Sequence, residues 1–253
     1  MTMIFIPKTD RLTKLAKLYP ERIKELENIF VVTTNIYIDY ANVIHWARKL
    51  KWHVNLKRLK QLLNSFSSIK SVRFYNGTLI GDQKSEEFNK EAGKLGYDVK
   101  TKPVKIMKLS IDVSSIPANS PFILKNFIKR PLLQKLNIET IEYLNGKLKE
   151  LNDQGVKYIE VRKCNFDVEI GRDMLLDYEK NDIDNYVLWS GDSDFADPVN
   201  QLLKDGKKVV IFATARRISV ELGETKSLKF DIQKIRNFIC SANELPQDVK
   251  SKL

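Results

Sequence analysis

The chain is short of the residues that build thiolate, disulfide and imidazole chemistry. Its 253 residues include two cysteines, Cys164 and Cys240, which make neither a disulfide framework nor a Cys-rich metal site. Both read as small buried hydrophobes in a reducing compartment. The two histidines, His45 and His53, have no partner at ligand spacing. No apolar run approaches the ~18–20 residues of a membrane span. The opening MTMIFIPKTDRLTKLAKLYP lacks the hydrophobic core and cleavage site of a secretory leader. No GxxxxGK[ST] or GxGxxG string occurs, so a nucleotide-cradling loop is not supported. Repeats and low-complexity tracts are also missing. The closing Ser251-Lys252-Leu253 matches a peroxisomal address, but a Lys-rich end produces that tripeptide by chance. The expectation is a cytoplasmic chain with no membrane partner.

What is present is a globular composition, 43% hydrophobic and 30% charged, with a formal net charge of +11. The length suits one elaborated domain or two small ones. The basic excess points to a polyanionic partner, nucleic acid first and an anionic membrane surface second.

Strand and helix patterns alternate. Residues 1–30 form a polar, helix-prone extension in which Pro20 breaks or restarts the helix. Strands are expected at NIYID (35–39), SVRFYNG (71–77), YDVKTKPVKI (97–106), YVLWSG (186–191) and KKVVIFAT (207–214). Helices are expected at 41–51, 56–66, 85–96, 138–152, 166–180, 195–206 and 216–224. Residues 108–135 hold three prolines and no clean period, and read as an insertion or flap. Alternation of this kind specifies an α/β fold with a mostly parallel sheet and helices on both faces.

In such sheets ligands bind beyond the carboxyl ends of the strands. Asp39 ends the first strand, with Asn42 three residues on, and Asp192 and Asp194 follow YVLWS in the string SGDSDF. Asp167 opens a helix after Lys163 and Cys164. Carboxylates gathered there repel one another unless they protonate or bind a cation. Oxygen-only donors suit Mg²⁺ or Mn²⁺, and such an ion activates water against a phosphodiester. Each acid also has a plainer reading. Asp192 or Ser193 could cap the helix starting near Phe195, and Asp167 and Asp194 could complement helix dipoles.

NIYIDYANV, KCNFDVEIGRDML and VLWSGDSDFADPVNQLLKDGKKVVIF, in that order, resemble the NYN domain of the PIN-like nuclease superfamily, most nearly its bacterial LabA-like branch. The resemblance covers about 33–106 and 156–240. It implies a three-layer α/β/α sandwich with a mostly parallel central sheet and a metal-dependent ribonuclease activity. It implies Asp39, Asp167, Asp192 and Asp194 as catalytic metal ligands for Mg²⁺ or Mn²⁺, supported by Asn42. Asp173 matches a further acid of the family, but 167 and 173 are six apart, about 240° around a helix, so only Asp167 is expected in the pocket. The nuclease domain is then 31–253, with a basic insertion at about 108–155. The insertion and the N-terminal extension are candidates for gating substrate, binding a partner or self-association into a homo-oligomer.

Residues 100–135 carry eight cations against one acid, Asp112, which suits a clamp on an RNA backbone. Lys125, Lys129, Arg130, Lys163, Arg216 and Arg217 are the expected phosphate contacts. Trp46 and Trp52 read as packing residues rather than base-stacking ones. A non-catalytic RNA- or protein-binding regulatory module on the same fold is the alternative. A Rossmann-like phosphatase fits poorly, because Asp39 is followed by Tyr40 and Ala41 where Asp-x-Asp is needed.

Overall fold

A computed structural model describes residues 4–180, 182–214 and 217–253. The chain divides into two compact units, one formed by 1–103 with 164–253 and the other by 104–163.

The larger unit begins with α1 (Asp10–Leu18), whose first turn is capped by Thr9 accepting from the Leu12 amide. Pro20 occupies the first turn of α2 (Pro20–Ile29), where its missing N–H costs nothing. Leu12, Leu15, Ile23, Leu26 and Ile29 line the inner faces of both helices and enter the unit's core. β1 (Thr34–Asp39) is buried along its whole length, as a central strand covered on both faces must be. Short helices α3 (Tyr40–Val43) and α4 (Ala47–Leu50) lead to α5 (Leu56–Leu63), which is capped by Asn55. β2 (Ile69–Thr78), α6 (Gln83–Lys94) and β3 (Asp98–Pro103) follow. Trp46 and Trp52 are both buried, as their reading as packing residues requires.

The smaller unit holds β4 (Lys105–Ser110), α7 (Arg130–Leu133), α8 (Ile138–Asp153) and β5 (Tyr158–Lys163). β4 and β5 pair antiparallel, Lys105 opposite Lys163 and Ser110 opposite Tyr158. Ile111, Val113, Ile123, Leu124 and Ile141 are buried. Asn152 stitches the unit: its amide donates to the Ile111 and Val156 carbonyls and accepts from the Val113 N–H.

The chain then returns to the larger unit through α9 (Asp167–Glu179), β6 (Asn185–Trp189), α10 (Ala196–Lys204), β7 (Lys208–Ala213), α11 (Val220–Glu224) and β8 (Leu228–Asp231). It closes with α12 (Arg236–Ile239) and α13 (Gln247–Lys250). All strands of the six-stranded sheet run parallel, in the order β3-β2-β1-β6-β7-β8. With helices packed against it, this is the α/β sandwich expected from the alternating pattern.

Two expectations change. The single strand expected over 97–106 is two, parted at Val104 and belonging to different sheets. Pro103, lacking an amide donor, ends the edge strand β3. The tract 108–135, read as an insertion or flap, holds the end of β4, all of α7 and four of the five buried apolar residues of the smaller unit.

Polar bonds fasten α9 to the sheet. Asp177 accepts Arg73 Nη1 and Nη2 at 2.6 and 2.7 Å, Asn35 Nδ2 at 2.6 Å, and the Tyr37 hydroxyl. One turn earlier, Asp173 accepts the Tyr75 hydroxyl at 2.9 Å and Arg172 at 2.8 Å. Asp173 is therefore a buried fastening acid, as its helical offset from Asp167 requires. Burial pushes the Asp177 carboxyl up, but the bonds from Arg73, Tyr37 and Asn35 outweigh it and hold its pKa below the usual carboxylate value. A depressed pKa adds stability that is present above the ordinary carboxylate range and lost as pH falls through the folded-state value. Asp177→Asn is expected to lower stability by about 3 kcal/mol, because it takes the bidentate partner from a largely buried Arg73 and leaves it only the longer, partly exposed contact with Asp98 at 3.6 Å. It is also expected to flatten the acid limb of the stability profile, which urea denaturation between pH 3 and pH 7 checks.

Candidate active site

The strand order reverses between β1 and β6: the chain leaves β1 toward β2 on one side, and β6 lies on the other. A crevice opens at such a switch point beyond the carboxyl ends of the two strands. Asp39 ends β1, and the turn Ser190–Asp194 follows β6.

Asp39 is buried. Its Oδ1 caps α3 by accepting the Asn42 amide at 3.3 Å, and its Oδ2 accepts the Ser190 hydroxyl at 3.0 Å. Burial raises its pKa to about 6; the Ser190 and Asn42 bonds oppose the rise and the Asp192 charge adds to it. Ser190 Oγ also accepts the Asp192 amide at 3.3 Å, so one hydroxyl joins the two strand ends. Asp192 caps the turn that opens α10, accepting the Asp194 amide at 3.4 Å. The capping reading of Asp192 is met by this bond. Gly191 lets this turn pass under the next loop: a Cβ there would stand 1.7 Å from the Arg217 carbonyl oxygen. That atom is backbone, so no side chain fits.

Asp167 begins α9, its amide held by Asn165 Oδ1 at 2.8 Å. Burial raises its pKa to about 6. The Asn165 bond lowers it, while Asp192, a hydrogen bond with the Asp194 carboxyl and Asp39 raise it further. Asp39, Asp192 and Asp194 thus bear on Asp167 across the switch point, and Asp192 bears on Asp39.

The donors fit a hard divalent ion in kind: they are all oxygens, and Asp167 Oδ2 is buried without a hydrogen-bond partner. Among the described residues, however, no group of three His, Cys, Asp or Glu side chains is spaced to hold one ion. An ion taking one or two carboxylates and keeping several waters is the Mg²⁺ habit, and it needs no closed cage.

The other expected residues are dispersed. Asn42 serves through its backbone; its side-chain oxygen accepts Trp46 Nε1 at 3.0 Å. Lys125, Lys129, Arg130 and Lys163 belong to the smaller unit and are exposed there, with Lys125 Nζ 3.7 Å above the Phe122 ring. Arg217 lies beside Gly191, and its Nε is buried without a partner. Arg216 lies outside the described residues. Sequence reasoning passed over Ser190, although it adjoins GDSDF, and Asn165. It also passed over the ion pair of Lys102 with Glu169 at 2.5 Å, where Lys102 Nζ sits 4.8 Å above the Phe166 ring. Those two residues are 67 apart in the chain and carry no local signal. His53 does have a partner, Glu244, whose carboxylate is 2.6 Å from Nδ1.

Residues 133–230 match the family model of the NYN domain, which belongs to the PIN-like nuclease superfamily. The match takes in Asp167, Asp192 and Asp194 and stops short of β1, so Asp39 lies outside it. No curated protein matches the chain. Among solved structures, a protein of unknown function from Vibrio parahaemolyticus is 17% identical, with a TM-score of 0.49 over 82% of this chain and 95% of that one.

Ser190→Ala is expected to raise the Asp39 pKa above about 6, since it removes a bond that favours the carboxylate. Carboxyl-carbon NMR titration checks the direction; an unchanged or lowered value contradicts it.

Proposed function

We propose that the chain hydrolyses RNA phosphodiester bonds with Mg²⁺ or Mn²⁺ at Asp39, Asp167, Asp192 and Asp194, as a LabA-like member of the NYN domain family. The observation that carries the reading is the Ser190 hydroxyl joining Asp39 to the Asp192 amide at the β1/β6 switch point, with the charges of Asp39, Asp192 and Asp194 bearing on Asp167. The NYN match over Asp167, Asp192 and Asp194 supports it. A bound divalent cation would supply an activated water and neutralise charge on the scissile phosphate.

The chain's own groups do the positioning. Ser190 and the Asn42 amide fix both oxygens of Asp39, and Asn165 fixes the start of α9 and with it Asp167. Burial of Asp39 lowers the local dielectric, which strengthens its hold on any cation. In this reading 31–253 is the nuclease domain, 1–30 its helical extension and about 108–155 its basic insertion. Lys125, Lys129, Arg130, Lys163, Arg216 and Arg217 hold the RNA backbone.

The test incubates purified chain with mixed RNA and DNA in Mn²⁺ or in EDTA. Cleavage of RNA in Mn²⁺ alone is expected, and Asp192→Asn is expected to abolish it while leaving the circular-dichroism melt intact. Undiminished cleavage by that variant overturns the assignment. RNA affinity without turnover across several divalent metals replaces it with the binding-module reading.

Replacing Lys125, Lys129 and Arg130 together by alanine is expected to weaken RNA binding and to reduce the slope of log K against log salt by about 2, as loss of three phosphate contacts on a single strand requires. A salt titration by fluorescence anisotropy measures it, and an unchanged slope removes these residues from the contact.

A further inference from the structure

Helix α9 is apolar on two opposite faces. The inner face buries Ile170 and Met174 beside the fastening acids Asp173 and Asp177. On the outer face Val168, Leu175 and Leu176 are 81%, 49% and 44% exposed. Together with Arg172 and Glu179, these side chains follow the i, i+4, i+7, i+8, i+11 spacing of a helix-contact stripe, and they line one open depression. An amphipathic helix normally shows polar residues on its outer side. Three exposed aliphatic side chains along one turn-spaced line mark a surface that meets a partner.

The charges on the stripe say which partner. Arg172 and Glu179 are seven residues apart, and Leu175 and Leu176 sit midway between them. A twofold axis passing between the two leucines reverses the helix onto itself. It sets Arg172 against the partner's Glu179, and Glu179 against the partner's Arg172, around an aliphatic centre. Such self-complementarity is what an isologous contact demands. Arg172 uses Nε and Nη2 on Asp173, which leaves Nη1 for a second acid.

We propose that the outer face of α9 is the contact surface of a twofold homodimer, two α9 helices packing antiparallel about Leu175 and Leu176. One helix pair buries less than the roughly 800 Å² per partner typical of stable interfaces, so the association is weak and concentration-dependent. The proposal is independent of the hydrolytic reading, because it uses neither the acid cluster nor RNA.

Sedimentation velocity across a concentration series tests it. The wild-type chain is expected to move from monomer to dimer at micromolar concentration. Leu175→Glu and Glu179→Arg are each expected to weaken the dimer at least about tenfold, the second by setting arginine against arginine. The exchange R172E/E179R is expected to restore it. Oxidative cross-linking in a Cys164→Ser background gives a readout for the case in which a charge variant fails to fold. Leu175→Cys is expected to form a covalent dimer. Val168→Cys, more exposed but about 22 Å from its counterpart along antiparallel helices, is expected to form none. A chain that stays monomeric throughout the series, a dimer indifferent to both single variants, or cross-linking at 168 in place of 175 overturns the proposal.

Discussion

Arg73 grips both oxygens of Asp177, and the placement of α9 on the sheet follows from that grip. Asn35 and Tyr37 reach the same carboxylate from β1, so one buried acid ties a helix to two central strands. A carboxylate stripped of water is costly unless it is paired and hydrogen-bonded, and here three donors meet Oδ2 and one meets Oδ1. The bidentate geometry fixes the rotation of the helix about its axis as well as its distance from the sheet. Asp167 lies ten residues earlier on the same helix, about 15 Å along its axis. Its position beside the β1/β6 crevice is thus set by a bond made well away from it.

At the crevice the electrostatic situation is reversed. Asp39, Asp192 and Asp194 bear on Asp167, and Asp192 on Asp39, with no cationic side chain bonded to any of the four among the described residues. Two of them have pKa values raised to about 6 by burial and by their neighbours. The same helix therefore carries acids of opposite character: Asp177 compensated and structural, Asp167 uncompensated and open to a cation. Perturbation of this second kind, in a crevice, is what the proposed role of Asp167 rests on.

Much of the chain's positive charge is carried by a different unit from the one that holds these acids. Lys125, Lys129, Arg130 and Lys163 lie in a unit with its own small core, a two-stranded antiparallel sheet and the long helix α8. Attraction for a polyanion acts over the Debye length and tolerates loose placement, whereas holding a cation needs oxygens positioned to fractions of an ångström. Under the proposed function this difference suits an acid set built on the main sheet and cations borne on exposed positions of the smaller unit.

The sequence by itself determined the alternation of strands and helices, the parallel sheet, and the strand ends that carry Asp39 and GDSDF. These are local signals: a buried apolar run, a polar cap, a glycine before a tight turn. It also separated Asp167 from Asp173, because helical periodicity sets their angle. Only the tertiary structure decided the rest. β5 is exposed on both faces and β8 is four residues long, so neither leaves a burial pattern to read. Val104 splits one apparent strand between two sheets, a choice made by pairing partners rather than by the residues themselves. The Ser190 bridge, the Lys102–Glu169 pair and the fourfold grip on Asp177 join residues 67 to 151 positions apart. A sequence read along its length reports what each residue prefers; which side chains meet across that distance is settled when the sheet folds.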